Sequence, residues 1–290
     1  MRIGISGASG KLGKAILSEL QARGGEGHQV VAISRTPESV DGAFEARYGD
    51  YDNPQSLLAA YASLDRLVII PSSDVRPGIR GTHFVSAIDA AVKAGVGHIV
   101  MISSAATREV AEPSMYAPYW TGEQHLFRAA QRWTILRMNY YAESFAQIAP
   151  MLFVAGVLPG LGEARIGYVS RDDLGAAAAG ILLGEGHAGA IYSATGPSAL
   201  SGPDRATLLS EAAGKPIKFV VVDEAQLRSE LVQGGMPVEY IDALVDIEKS
   251  YVAGSFDIVT GDVERLAGRP PRSLRDVLSA TLSGSGRTAR

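Results

Sequence analysis

Apolar residues alternate with small or polar ones from Arg2 to Ser6, and Gly7-Ala8-Ser9-Gly10-Lys11-Leu12-Gly13 follows. The spacing then becomes helical, with Leu12, Ile16, Leu17 and Leu20 on one face, before His28 to Ile33 (HQVVAI) reads as a buried strand. The exchange of short apolar runs and amphipathic stretches continues. Phe44 to Tyr48 predicts a short strand, and Pro54 opens a helix to Tyr61, proline being favoured in a first turn. Arg66 to Ile70 (RLVII) is a continuous apolar strand closed by Pro71-Ser72-Ser73. Gly81 to Ala94 is helical with Gly95 as its cap, His98 to Ile102 is a strand ending in Ser103-Ser104, and a helix over Thr121 to Gln131 leads to a strand over Trp133 to Leu136. Near-continuous apolar strands separated by amphipathic helices predict a parallel sheet covered on both faces.

Beyond residue 140 the pattern is less regular. Tyr141 to Phe153 predicts a helix interrupted at Pro150, and Gly156 to Gly167 reads as a Gly/Pro-rich crossing. Asp172 to Leu183 is an alanine-rich helix. Ser170 with Asp173 three residues on resembles a capping box, which makes that pair structural. A strand over Ile191 to Ala194, a helix over Asp204 to Ala213 and a strand over Lys218 to Val222 follow, then helices over Glu224 to Val232 and Val238 to Val252. No repeat or low-complexity linker divides these parts. The expectation is an α/β chain: a Rossmann-type doubly wound parallel sheet with a smaller C-terminal α/β substrate lobe. The dinucleotide-binding domain spans 1–140, its sheet completed by later strands; residues 141–282 form mainly the lobe, and 283–290 a disordered tail.

A strand that feeds a helix through closely spaced glycines lets a pyrophosphate approach bare backbone N–H groups at a helix N-terminus. The spacing here is G-x-x-G-x-x-G, a variant of G-x-G-x-x-G, and its position between strand and helix points to dinucleotide binding over a bland glycine-rich turn. The end of the second strand selects the nucleotide. Where an NAD site places an acid for the ribose 2′-OH, this chain has Ser34-Arg35-Thr36. A guanidinium suits a 2′-phosphate, so NADP(H) is the expected cofactor; the plain alternative is a solvated loop charge.

Composition narrows the rest. With 290 residues, 46% hydrophobic and 20% charged, the chain can bury one large core or a core plus a lobe. A net charge of -4 without a basic stripe argues against nucleic acid as the partner. The absence of cysteine excludes disulfides and thiolate chemistry, and the five histidines lie far apart, so no metal site is expected. Nothing resembles a signal peptide or membrane span, giving an expected cytoplasmic enzyme, monomer or homodimer, acting on a small molecule.

Several blocks together carry a family resemblance: GISGASGKLG, RYGDYDNPQSL, AGVGHIVMISS, WTILRMNYYAESF, YVSRDDLGAAAAGILL, GAIYSATGP and LAGRPPRSLRDVL. Over nearly its whole length the chain resembles atypical short-chain dehydrogenase/reductases of the NmrA-like group. Within that group it is similar to the bacterial NADPH:quinone oxidoreductases of the second type and the triphenylmethane reductases. The resemblance implies that Gly7, Ser9, Gly10, Lys11 and Leu12 line the pyrophosphate and that Gly13 allows close helix packing. It implies Arg35 at the 2′-phosphate, Asp50 and Tyr51 beside the adenine, Pro71, Ser72 and Ser73 at the nicotinamide ribose, and Ser103 and Ser104 near the nicotinamide. The family's asparagine after the Leu-Arg of the sixth strand is replaced here by Met138. Asn139, one residue later, is a candidate whose side chain the offset turns.

Ordinary short-chain dehydrogenases use a Y-x-x-x-K pair, in which lysine helps a tyrosine to protonate a carbonyl oxygen. Tyr116 and Tyr119 stand about where that tyrosine belongs, but four residues after them come Trp120 and Glu123. A carboxylate beside Tyr119 would raise a phenol pKa. Alcohol chemistry is therefore disfavoured, and an acceptor that delocalises the incoming charge, such as a quinone or a cationic dye, is favoured. Tyr119, Asn139 and Tyr140 are the candidate pocket residues for that chemistry. Tyr116, Trp120, Tyr141 and Phe145 are further aromatics that either stack on a planar substrate or seal the fold. The leading reading is an NADPH-dependent reductase of quinones or similar conjugated planar acceptors; the alternatives are a non-catalytic NADP(H)-sensing regulator and a reductase of an imine, enone or carbonyl substrate with an unrecognised proton donor.

Overall fold

The computed structural model describes residues 1–23, 27–40, 42 and 44–285. Its strands, in chain order, are β1 (Arg2–Ser6), β2 (Gln29–Ser34), β3 (Glu45–Tyr48), β4 (Arg66–Ile69), β5 (His98–Ser104), β6 (Trp133–Met138), β7 (Val157–Gly160), β8 (Ala190–Ala194) and β9 (Lys218–Val221). The first helices are α1 (Lys11–Arg23), α2 (Pro54–Ala60), α3 (Ile79–Lys93), α4 (Ala117–Ala129) and α5 (Ala142–Ala155). They are followed by α6 (Arg171–Leu183), α7 (Gly202–Ala213), α8 (Glu224–Gln233), α9 (Val238–Val252), α10 (Asp262–Ala267) and α11 (Leu274–Ser285). No helix among the described residues is long and apolar enough to cross a membrane.

The chain divides into two compact units. The first comprises Met1–Met138, Arg171–Ala194 and Asp262–Arg269; the second comprises Asn139–Ser170, Thr195–Gly261 and the residues from Pro270. In the first unit seven parallel strands form a sheet of order β3-β2-β1-β4-β5-β6-β8. Strands β4 and β5 are buried along their whole length, which is why their sequences show no polar alternation. Helices α1, α6 and α10 pack as one row, and α2, α3 and α4 as another. The alanine-rich α6 approaches α1 closely: a Cβ added at Gly175 would stand 2.9 Å from that of Ala15. This is the Rossmann-type architecture that the strand–helix alternation implies.

The second unit has its own small sheet, β7 beside β9, parallel, with Leu158 opposite Phe219. Helices α5, α7 and α11 pack together, and Val222, Leu227, Ile241 and Val245 form a separate core. Several elements differ from the sequence expectation. Pro150 does not interrupt α5, because that helix buries Phe145, Ala146, Ala149 and Leu152 and packing offsets one missing N–H. The presumed crossing after Gly156 contains β7, whose VLPG reads as a breaker and whose partner β9 is remote in sequence. Helix α4 starts four residues early, with Pro118 in its first turn. The chain returns to the first unit at 171–194, so that β8 completes the sheet. Helix α11 continues to Ser285, into the segment expected to be disordered from 283; the rest of that tail, 286–290, lies outside the described residues.

Candidate functional site

The strand order reverses between β1 and β4, and in an open parallel sheet a ligand binds outside the carboxyl ends of the strands at such a reversal. Here those ends are the glycine turn after β1 and the Ile70–Ser73 turn after β4. The two turns touch: Gly7 adopts φ +95°, and a Cβ placed there would stand 3.2 Å from that of Ile70. The N–H groups of Gly7 and Ala8 both donate to Ile33 O at 3.0 Å, and Gly10 N donates to Gly7 O at 3.1 Å. These bonds fold the turn so that α1 begins at Lys11, where the first N–H groups have no intrahelical acceptor. Gly13 is demanded by packing. A Cβ there would overlap Gly7 O and lie 2.7 Å from Ala8 Cα, whereas one at Gly10 meets only Gly7 O, at 3.3 Å.

At the end of β2, Ser34 Oγ donates to Ser9 Oγ at 2.7 Å, joining the glycine turn to the next strand end. Arg35 follows, exposed, and among the described residues no hydrogen bond or ion pair holds it. Asp50 accepts from Asp52 N at 3.1 Å, closing the turn before α2. The Tyr51 ring is half-buried, and its hydroxyl donates to Ile70 O at 2.8 Å; burial pushes that phenol up to about 12. Tyr51 thus braces the turn after β4 from the β3 side. Pro71 and Ser72 are half-buried and Ser73 is exposed. Arg80 Nε donates to Ser72 O at 2.9 Å, and His83 lies 2.8 Å from Ser72 Oγ. Sequence reasoning singled out neither α3 residue for a role here, though their i, i+3 spacing puts both on one helix face.

At the end of β5 the two serines do different work. Ser103 is fully buried, and its hydroxyl donates to Glu123 Oε1 at 2.6 Å. Ser104 Oγ accepts from Ala106 N at 3.2 Å and shapes the turn that follows. In that turn Thr107 Oγ1 is buried with no hydrogen-bond partner among the described residues. Glu123 also receives Arg137 Nε at 3.0 Å and Nη2 at 2.6 Å. The sequence reading set this carboxylate beside Tyr119. The structure gives Tyr119 a cation instead, with Arg80 Nη1 3.5 Å from its hydroxyl and the guanidinium carbon 5.5 Å from its ring centre. The order of helix residues left that exchange invisible, because Ser103 and Arg137 come from strands β5 and β6.

Asn139 and Tyr140 belong to the second unit. Asn139 is 2% exposed; its Nδ2 donates to Phe256 O at 3.1 Å and Ile258 O at 3.5 Å, and its Oδ1 accepts from Tyr140 N at 2.7 Å. The amide therefore orients the backbone that presents Tyr140. The Tyr140 ring meets Tyr251 edge-on at 5.4 Å, with Tyr168 and Phe256 both at 6.1 Å. Phe145 is buried against Tyr168 at 5.4 Å, and Tyr116 is buried under the Arg108 guanidinium at 5.1 Å. For these two, sealing a core is the role that burial supports. Tyr168 is buried too, which raises its phenol despite the nearby Arg205. Asp173, read as structural, is fully buried and paired with Arg269.

The groups at the sheet edge fit a phosphorylated dinucleotide. N–H groups at the start of α1 suit a pyrophosphate; among the described residues Arg35 has no ion-pair partner and suits a further phosphate, and the Thr107 hydroxyl has no partner and can meet a polar ligand atom. Residues 7–184 match the NAD(P)H-binding family. The chain is 28% identical over 282 residues to quinone oxidoreductase 2 of Escherichia coli, covering 96% of this chain and 97% of that one. A structure of NADPH-dependent quinone oxidoreductase from that organism complexed with NADPH superposes with a TM-score of 0.88, covering 97% of this chain and 99% of the other at 29% identity. An NAD(P)H azoreductase of Xenophilus azovorans is 29% identical over 247 residues, 82% of each chain. The triphenylmethane reductase of Citrobacter complexed with NADP(H) superposes with a TM-score of 0.85 at 25% identity, covering 97% of this chain and all of the other.

Proposed function

The chain belongs to the NAD(P)H-binding family, and on that premise we propose that it is a reductase that uses NADPH to reduce a quinone or a similarly conjugated planar acceptor. The observation that carries this reading is the fate of Glu123. It occupies the place of the lysine that would assist Tyr119, and it is tied to Ser103 and Arg137 inside the core. A simple ketone needs a strong proton donor at the moment of hydride transfer. A quinone spreads the added charge over its ring and takes its proton from water. The relatives named as quinone oxidoreductase and azoreductase, matched over most of their length, support the same choice of acceptor.

In this reading NADPH, when bound, supplies the hydride. Ser9, Lys11 and Leu12 hold its pyrophosphate through backbone N–H groups, Gly10 leaves room for the phosphates to approach, and Gly7 and Gly13 allow the turn. Arg35 holds the 2′-phosphate by a charge-assisted contact, Asp50 and Tyr51 border the adenine, and Pro71, Ser72, Ser73 and Ser104 border the nicotinamide side. Ser103 acts from the core through Glu123. Tyr140, whose backbone N–H Asn139 holds, is the residue assigned to acceptor recognition, and Tyr119 is a further candidate pocket residue. The protein acts in the cytoplasm on a small molecule, as a monomer or homodimer.

The test is NADPH oxidation screened across quinones, cationic and azo dyes, enones, imines and ketones. Turnover of quinones or dyes, with ketones inert, is the expected result. Turnover confined to ketones or imines, lost by about 10²–10⁴-fold in Tyr119→Phe, would sink the acceptor assignment. Tight NADPH binding with no turnover of any acceptor would make the protein a sensor of NADP(H).

A further inference from the structure

Helix α3 presents two buried polar side chains, Arg80 and His83, to the turn after β4. Arg80 fixes that turn through the Ser72 carbonyl. His83 does something different: Nδ1 lies 2.8 Å from Ser72 Oγ, and Nε2 lies 2.9 Å from Asp52 Oδ1. The Asp52 side chain is 61% exposed and that of His83 only 7%, so the chain of groups runs from solvent through the protein to the sheet edge. The space enclosed by Tyr51, Ile70, Pro71, Ser72, Arg80 and His83 holds no water-sized void. No ligand reaches the imidazole through that space.

The hydrogen-bond inventory of these groups settles their directions. An ionised carboxylate only accepts, so Nε2 carries a proton toward Asp52. In the neutral ring Nδ1 is then a bare acceptor, and the Ser72 hydroxyl donates to it. Ser72 is left with only lone pairs to offer outward. When the ring is charged, Nδ1 donates to Ser72 Oγ, and the serine O–H is released to donate outward. The same proton changes the Asp52–His83 pair from net negative to neutral. Both changes favour an anionic ligand rich in acceptor oxygens, as a phosphorylated dinucleotide is.

We propose that Asp52, His83 and Ser72 form a proton-linked relay, with His83 the positioning residue that sets whether Ser72 donates or accepts at the dinucleotide crevice. The inference rests on the family's cofactor and deepens the reading of the Ser72 turn. Binding of NADPH then takes up a proton at His83, because coupling between proton and ligand is reciprocal. Imidazole ordinarily changes charge between about pH 5 and 8. Among the described residues, the charged and titratable groups that face this ring are Asp52 before α2, Tyr51 beside it with its ring 5.8 Å away, Asp74 with its partner Arg76 before α3, and Arg80 on α3 itself; Tyr51, pushed up to about 12, stays neutral in that window. Arg76 holds Asp74 down to about 2, so Asp74 keeps one charge throughout that window.

The experiment compares the wild type with His83→Asn and Ser72→Ala. NADPH affinity is titrated across about pH 6 to 8, and proton uptake is read by calorimetry in buffers of different ionisation enthalpy. Asparagine keeps a polar atom near the Nδ1 position but cannot take the proton, so His83→Asn should fold and bind NADPH. The wild-type dissociation constant should fall about three- to tenfold more from the high to the low end of that range than the variant's, the span of one hydrogen bond. The comparison cancels titration of the nucleotide's own phosphate. Proton uptake should be present in the wild type and reduced alike in His83→Asn and Ser72→Ala. Equal pH dependence and equal uptake in wild type and His83→Asn would overturn the relay while leaving the cofactor assignment standing. Failure of the wild type to bind NADPH at all would overturn both.

Discussion

The glycine-turn edge of the first unit and the aromatic cluster of the second are built from different materials. The edge comes from the contiguous β1–α1–β2 stretch and presents backbone N–H groups, which every residue except proline keeps. The cluster gathers Tyr140, Tyr168, Tyr251 and Phe256 from distant parts of the chain, and Asn139 ties to Phe256 across 117 residues. All of its chemistry is in side chains. The contrast teaches that one edge is shaped by backbone close in sequence, whereas the other cluster is assembled from rings that the chain keeps far apart.

The sharpest way to break that contrast is Gly13→Ala. Its Cβ would overlap the Gly7 carbonyl, and backbone cannot yield as a side chain can. A loss of about 3 kcal/mol or more of stability is expected in a denaturant melt, together with loss of NADPH binding. Gly10→Ala, with only a 3.3 Å contact to Gly7 O, should fold normally and weaken both nucleotides; normal binding would show that this turn merely shapes the fold. Next in size is Arg35→Ala, which should cost about 1.5–3 kcal/mol in NADPH affinity and leave NADH unchanged. Equal NADPH and NADH affinities in the wild type would take Arg35 out of the role.

On the other side of the comparison, Asn139→Ala removes the amide's bonds to Phe256 O, Ile258 O and Tyr140 N, although Phe256 O keeps its bond from Gly167 N. It should lower stability by about 1–3 kcal/mol in thermal unfolding and raise the acceptor KM, with NADPH affinity intact. A matching loss of NADPH affinity would contradict the division of labour. The smallest effect expected is that of Tyr119→Phe. Its hydroxyl is 3.5 Å from Arg80, and removing it should slow quinone turnover only a few-fold, far below the roughly 10²–10⁴ of an obligatory acid.

The glycine-turn edge was legible in the sequence because its signals are local. A strand, three glycines at fixed spacing and a helix are neighbours in the chain, and so are the end of β2 and Arg35. The apolar runs equally revealed the parallel sheet, since strands buried on both faces admit few polar residues. Local patterns also misled: Pro150 suggested a break that the buried face of α5 overrides, and VLPG concealed a strand that exists only beside β9.

Other features depended on groups that the chain separates. Glu123 stands four residues after Tyr119, as a lysine would, yet its partners are Ser103 on β5 and Arg137 on β6. Arg80 and His83 are ordinary helix residues until α3 docks against the turns carrying Ser72 and Asp52. The capping-like Asp173 has its countercharge on Arg269, 96 residues on. The sequence by itself determined the strand–helix alternation and the glycine turn, because backbone sterics and hydrophobic period act over a few residues. Tertiary structure alone decided which buried charges pair, which tyrosine gains a cation and which serine faces a titratable ring, because a buried charge or hydroxyl must find its partner in space, wherever in the chain that partner lies.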